Sequence, residues 1–212
     1  MSTLDLQEQE QVDALKSWWK ENSKWVVGIV VVGLLGFSGM QYWKNHQAAQ
    51  SVEASKLFAE VLKQTTTNDP KRVNDAVAAL VERFGGSAYA PRAQLLAVQV
   101  NVQAKDISRA KTQLQWVVEH AKESGLQDTA RLKLASILLD EKLFDDALKL
   151  LNATHPEAFT GLYADLKGDV LSAQGKMEEA KTEYKQALAK IDEKSMYRNL
   201  VQLKLDGLGD IK

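Results

Sequence analysis

The side chains that could do chemistry in this chain are few and scattered. His46, His120 and His155 stand far apart, none within an H-E-x-x-H pattern, and the 212 residues include no Cys. A thiolate nucleophile and a Cys/His zinc site therefore lack their ligands. Glu119 and His120 could share a proton, but on a helix surface such a pair reads as solvated charge. Asp145-Asp146 and Glu178-Glu179 stand at the starts of expected helices. There carboxylates complement the positive end of the helix dipole rather than form an acid–base pair. No G-x-S-x-G elbow, Walker loop or dinucleotide fingerprint occurs, and Asn152-Ala153-Thr154 matches a glycosylation acceptor by spacing that chance often supplies. The chemistry expected is binding, with no catalytic residue, no cofactor and no metal.

Charge narrows the partner. Twenty-seven basic and 28 acidic side chains leave a formal net charge of −1, so no global field favours nucleic acid. Lys71, Arg72 and Arg83 make a small basic face without interleaved aromatics, and nucleic acid is not an expected partner.

The elements that must position a binding surface begin with an apolar run. From Trp25 to Trp43 there is no ionisable residue, and nineteen helical residues rise about 28 Å, close to the hydrocarbon thickness of a bilayer. Trp25 at one end and Tyr42 with Trp43 at the other suit the two headgroup levels; Lys20, Lys24 and Lys44 can snorkel outward. A cleaved signal peptide fits less well, because the run is long and no small-x-small site follows it. Lys16, Lys20 and Lys24 before the span against Lys44 and Lys56 after it leave its orientation open. Gly28, Gly33, Gly36 and Gly39 would let a second helix approach. Val12, Leu15, Trp18 and Trp19 mark a short amphipathic helix on the membrane surface, with Trp18 and Trp19 as further interface anchors. Asn22 and Ser23 offer a cap for the spanning helix, and residues 1–8 are expected to fray.

Beyond the span, apolar patterns of helical period run almost throughout, broken at Asn68-Asp69-Pro70, Gly85-Gly86-Ser87, Ser124-Gly125, His155-Pro156 and Gly161. Gly168, Leu171, Gly175, Ala180, Tyr184 and Ala187 have a spacing that resembles the tetratricopeptide repeat. Ala135, Leu138, Lys142, Ala147 and Leu151 repeat the plan; Val98, Lys105, Ala110 and Leu114 repeat it again, and Ala76 with Leu80 a fourth time. The alanines at 76, 110, 147 and 180 lie 34, 37 and 33 residues apart. The fold expected is all-α: a transmembrane helix, then a tetratricopeptide-like α-solenoid of about four hairpins. Its pairs are 46–66 with 70–84, 88–103 with 106–122, 126–141 with 143–152 and 159–174 with 176–190. A capping helix over Ile191–Leu205 would close the stack. Leu134, Leu138, Leu148, Leu151, Leu166, Leu171, Tyr184 and Leu188 are expected in the core.

First helices of such hairpins would line a groove with Leu95, Gln99 and Val102, then Leu132, Ser136 and Leu139, then Asp165, Asp169 and Ser172. Asp165 and Asp169 would repel an acidic tail, and the partly apolar remainder suits extended or amphipathic segments. The other reading is that Leu95, Leu132 and Leu139 only pack the superhelix.

Taken whole, the chain resembles the YfgM family of ancillary SecYEG translocon subunits, on Gln11–Lys24 (Q-V-D-A-L-K-S-W-W-K-E-N-S-K), the glycine-rich span, Tyr42–Gln47, Ala54–Phe58 and the repeat around Gly168–Ala187. That resemblance implies a cytoplasmic tail over 1–24, a bacterial inner-membrane helix over 25–43 and a periplasmic tetratricopeptide-like domain over 44–212. It also implies SecYEG, the chaperone PpiD and emerging secretory or outer-membrane protein segments as partners. It carries no catalytic residues over. The expected function is a non-enzymatic scaffold or chaperone; the alternative is an anchored adaptor for another envelope-assembly or division process.

Overall fold

A computed structural model describes residues 3–67 and 69–209, with side chains from Glu10 onward. Every regular element described is helical: α1 Thr3–Thr65, α2 Pro70–Phe84, α3 Tyr89–Gln103, α4 Ile107–His120, α5 Ser124–Asp140, α6 Phe144–Leu151, a 3₁₀ turn at Glu157–Phe159, α7 Thr160–Ala173, α8 Met177–Lys190 and α9 Met196–Gly207. The chain divides into two compact units, Met1–Val52 and Glu53–Lys212. The all-α expectation, with one apolar N-terminal helix and a repeat array, is what forms.

The first unit is the larger part of α1. This helix is long and apolar enough to cross a membrane, and none of its apolar window is buried within the chain. Ile29, Val32, Leu35 and Phe37 are all about two-thirds exposed or more, which in water would be unfavourable at roughly 25 cal/mol per Å². Two expectations are corrected here. Asn22 and Ser23 do not cap a new helix: α1 runs through them, and Asn22 Nδ2 donates to the Trp18 carbonyl 2.9 Å away. The amphipathic stretch is the opening of the same helix, already helical at Thr3, while Met1 and Ser2 lie outside the described residues.

The second unit stacks hairpins, the first made by the C-terminal turns of α1 with α2. Local chemistry sets the breaks. Asp69 caps α2, its carboxylate accepting from the Lys71 and Arg72 amides, and Pro70 takes the first helical position, where no amide is missed. The next three hairpins turn through one shared device. Lys105, Lys142 and Gly175 each adopt a left-handed backbone, with φ of 63°, 60° and 79°. In each the following amide bonds back to a carbonyl five residues earlier: Asp106 to Asn101, Leu143 to Leu138, Lys176 to Leu171.

Packing then follows the small residues. Ala110, Ala147 and Ala180 are fully buried where paired helices touch, and Gly168 lies against the Tyr184 ring, which a Cβ would meet at 2.5 Å. Leu134, Leu151, Leu171, Tyr184 and Leu188 are buried, and Leu138, Leu148 and Leu166 pack partly buried against them. The closing helix starts at Met196 rather than Ile191, because Ser195 supplies the cap, its hydroxyl accepting from the Tyr197 amide. Val201 anchors α9 in the core of the last hairpin.

Candidate functional site

The first helices of the first three hairpins enclose an apolar groove of about 700 Å³. Phe58 and Leu62 of α1, Leu95, Leu96, Val98 and Val102 of α3, and Ile137 of α5 form its greasy part; Gln99, Gln103, Lys133, Ser136 and Asp140 add polar positions. Arg92 also lines it, held by a two-pronged contact to Glu123 at 2.7 and 2.9 Å. That bond holds the Glu123 carboxyl below its usual range and the Arg92 guanidinium above its own. The groove is thus lined mainly by apolar side chains with a minority of polar and charged ones, a composition that suits a peptide or helix side.

Of the residues expected in a groove, Leu95, Gln99, Val102 and Ser136 come together in this one. Leu132 and Leu139 do not. They pack partly buried against Ala135, Ala147, Leu151, Tyr163 and Val170, and Lys133, Ile137 and Asp140 take the wall instead. The phase of α5 decides this: positions 133, 136, 137 and 140 share one helical face, the i, i+3, i+4, i+7 set. That set was readable in the sequence, whereas Phe58 and Leu62 are contributed by a helix from which no groove residue was expected.

Asp165 and Asp169 require a correction. They do not face an open channel, because α9 covers them. Lys204 Nζ sits 2.8 Å from Asp165 Oδ2 and 2.7 Å from Asp169 Oδ2; Tyr197 donates to Asp165, and Tyr184 to Asp169 at 2.8 Å. Asp165 is only 2% exposed. Burial, then the hydrogen bonds to these carboxylates, push the Tyr184 and Tyr197 hydroxyls far above their usual range. Burial alone would lower the Lys204 ammonium, but its two carboxylate partners outweigh that and raise it. The cluster sets one ammonium between two carboxylates, so both acids are engaged by hydrogen bonds and an ion pair within the fold instead of standing free toward a ligand.

In the first unit, a Cβ added at Gly28, Gly33, Gly36 or Gly39 would meet no other part of the chain within 4 Å. At 100° per residue these glycines spread over about 140° of the helix circumference, a broad smooth flank rather than a straight seam. Trp18, Trp19, Trp25, Tyr42 and Trp43 are half to three-quarters exposed on the same helix. Among the described residues no group of three or more His, Asp or Glu is placed to hold a metal ion.

The tetratricopeptide repeat-like domain family matches residues 16–210. An ancillary SecYEG translocon subunit of Neisseria gonorrhoeae is 33% identical over 204 residues, 96% of this chain and 98% of that one. The chain belongs to this family. Further ancillary SecYEG translocon subunits agree: that of Haemophilus influenzae is 30% identical over 86% of this chain and 89% of its own, and that of Escherichia coli 27% over 95% and 96%. The family likeness takes in the apolar helix as well as the hairpins, since both lie within the matched span. No solved structure matches the chain.

Proposed function

We propose that the chain is a non-enzymatic, single-pass inner-membrane scaffold of the SecYEG translocon. In this reading residues 1–24 are a cytoplasmic tail, 25–43 span the bilayer, and 44–212 form a periplasmic domain. That domain holds the chaperone PpiD or chain segments leaving the channel. The observation that carries the reading is full-length membership of a family whose characterised members are named translocon subunits. The uncovered apolar helix supports a lipid-facing anchor. The groove around Leu95, Gln99, Val102 and Ser136 supports binding of apolar segments. Gly28, Gly33, Gly36 and Gly39 serve as the flank along which the spanning helix meets another, since small residues admit close backbone approach. Trp18, Trp19, Trp25, Tyr42 and Trp43 set its depth.

The test is photocrosslinking in intact membranes from a photoreactive residue at position 36, with a second at position 99. Adducts to SecY, SecE, SecG or PpiD from position 36, and to PpiD or secretory chains from position 99, are expected. Reproducible adducts to unrelated envelope proteins alone would transfer the chain to the adaptor reading. Orientation has its own readout. The chain contains no Cys, so a single Thr66→Cys should react with an impermeant maleimide in spheroplasts without lysis; labelling only after lysis reverses the topology.

A further inference from the structure

α1 carries an uncovered apolar face ahead of its membrane span. Between Glu10 and Lys24 the ionisable residues are Glu10, Asp13, Lys16, Lys20, Glu21 and Lys24. At 100° per residue they fall within an arc of about 140°, and Lys16 leans into that arc by pairing with Asp13 at 3.2 Å. The rest of the circumference, about 220°, carries no charge. Its middle is Leu15 and Asn22, flanked by Val12, Trp18 and Trp19, and the four apolar residues are about half exposed or more.

Such a face would suit a membrane surface if the helix turned there. It does not turn: α1 is unbroken from Thr3 to Thr65. With Trp25 at the lipid boundary, Leu15 stands about 15 Å ahead of it, whereas the headgroup layer adds only about 5–8 Å to each side of the hydrocarbon. Val12 lies farther out still. Both side chains are in water, where a contiguous apolar face marks an interaction surface.

Three observations say what covers it. First, at alternating steps of three and four residues the line through Leu15 and Asn22 continues to Val26, Ile29, Gly33, Gly36 and Met40. The occupant is therefore a helix that also crosses the lipid boundary unbroken, side by side with this one. Within the span nothing is charged, and there Gly33 and Gly36 admit close approach. Second, Asn22 is the one polar side chain on that line. Its Nδ2 donates to the Trp18 carbonyl at 2.9 Å, and its Oδ1 has no partner among the described residues. A lone Asn in an apolar seam is matched by another Asn at the same level. Third, no ionisable group lies on the seam. Two copies inserted the same way are related by an axis along the helix, so each seam residue meets its own counterpart, and a charge there would meet its like. A seam addressed to a different protein has no such restriction.

We propose that α1 pairs with α1 of a second copy of this chain, parallel and in register, along Leu15, Asn22, Val26, Ile29, Gly33 and Gly36, each Asn22 amide bonding across the axis to the partner's Asn22. The inference rests on the single-pass reading of α1 and on nothing in the translocon reading. Gly28 and Gly39 lie about 100–120° round the helix from Asn22, so the dimer leaves them open to a further membrane helix.

The test is disulfide trapping in isolated membranes with the full-length chain, which has no Cys of its own. Leu15→Cys and Val26→Cys face the seam; Ser17→Cys and Lys24→Cys face away from it. Two differently tagged copies are co-expressed and oxidised with copper phenanthroline. Because a disulfide needs Cα atoms within about 7 Å, the seam variants should give a two-tag dimer at about tenfold or more the yield of the other two. In the Leu15→Cys background Asn22→Asp, which sets like charges together, should cut that yield by about tenfold or more at equal amounts of membrane-inserted chain. Ser17→Asp should change nothing. Equal yields at all four positions, no two-tag product, seam adducts only to other proteins, or an unchanged yield with Asn22→Asp would each overturn the proposal. The Thr66→Cys labelling fails only if the span or its orientation is wrong, so the two readings fail separately.

Discussion

Tyr163 on α7 donates its hydroxyl to Asp128 Oδ1 on α5 at 2.8 Å, and one hairpin later Tyr197 on α9 does the same for Asp165 on α7. The two tyrosines are 34 positions apart, so one polar rung is used twice to fix each first helix to the next. Asp128 is fully buried, Arg131 meets the same oxygen at 2.6 Å, and Oδ2 has no partner. A buried carboxylate tolerates such surroundings only while its remaining bonds are kept.

Tyr163→Phe removes one of those bonds without changing the ring. It should destabilise the repeat domain by about 1–3 kcal/mol, read as a lower unfolding midpoint in urea with an unchanged slope. An unchanged midpoint would mean that Arg131 alone satisfies Asp128.

Alkaline pH should weaken the array through the same tyrosines. Burial, then the bond to Asp128, push the Tyr163 hydroxyl up to about 12 from its usual 10; Tyr184 and Tyr197 move the same way. Between those values the unfolded chain has lost a proton that the folded chain still holds, so stability falls as pH rises. The expected profile is level below pH 10 for these groups and declines from there toward 12. Tyr163→Phe should make the decline shallower, and an identical slope in wild type and variant would remove Tyr163 from the account.

Gly168→Ala places a methyl group 2.5–2.6 Å from Tyr184 ring carbons. The ring cannot simply step aside, since its hydroxyl is tied to Asp169. A loss of about 1–3 kcal/mol is expected from overpacking, measured by thermal unfolding; a neutral result would show that α7 and α8 can separate slightly at no cost.

The left-handed turn positions offer the opposite sign. Lys105 and Lys142 do with a side chain what Gly175 does without one, at a cost of roughly 1–2 kcal/mol for an L-residue in that conformation. Lys105→Gly or Lys142→Gly should therefore raise the unfolding midpoint, by up to about 1 kcal/mol each after the unfolded-state entropy of glycine is counted. A fall would mean that the lysines make a stabilising contribution beyond the turn.

Much of the fold was legible because it is local. A run without an ionisable side chain names a helix suited to lipid whatever lies elsewhere. Asp69-Pro70 and Gly175 mark breaks by their own backbone preferences, and Gly168, Ala180 and Tyr184 announce a tight helix pair through size alone. The groove was half legible. Leu95, Gln99 and Val102 follow from one helix, but whether Leu132 or Lys133 joins them depends on how α5 is rotated, which its neighbours on both sides set together.

By itself, then, the sequence determined the breaks within the repeat array, the repeat period and the family, since each follows from residue size, hydropathy and backbone preference within one or two turns, but not the continuity of α1 through Asn22 and Ser23 or the start of α9 at Met196. Only the tertiary structure decided which carboxylates are free. Asp165 and Asp169 are both bound by Lys204, 39 and 35 residues away, whereas Glu119 and Asp146 have no ion-pair partner among the described residues. Charge pairing acts through space between elements whose register is settled only when the hairpins stack, so no pattern along the chain records it.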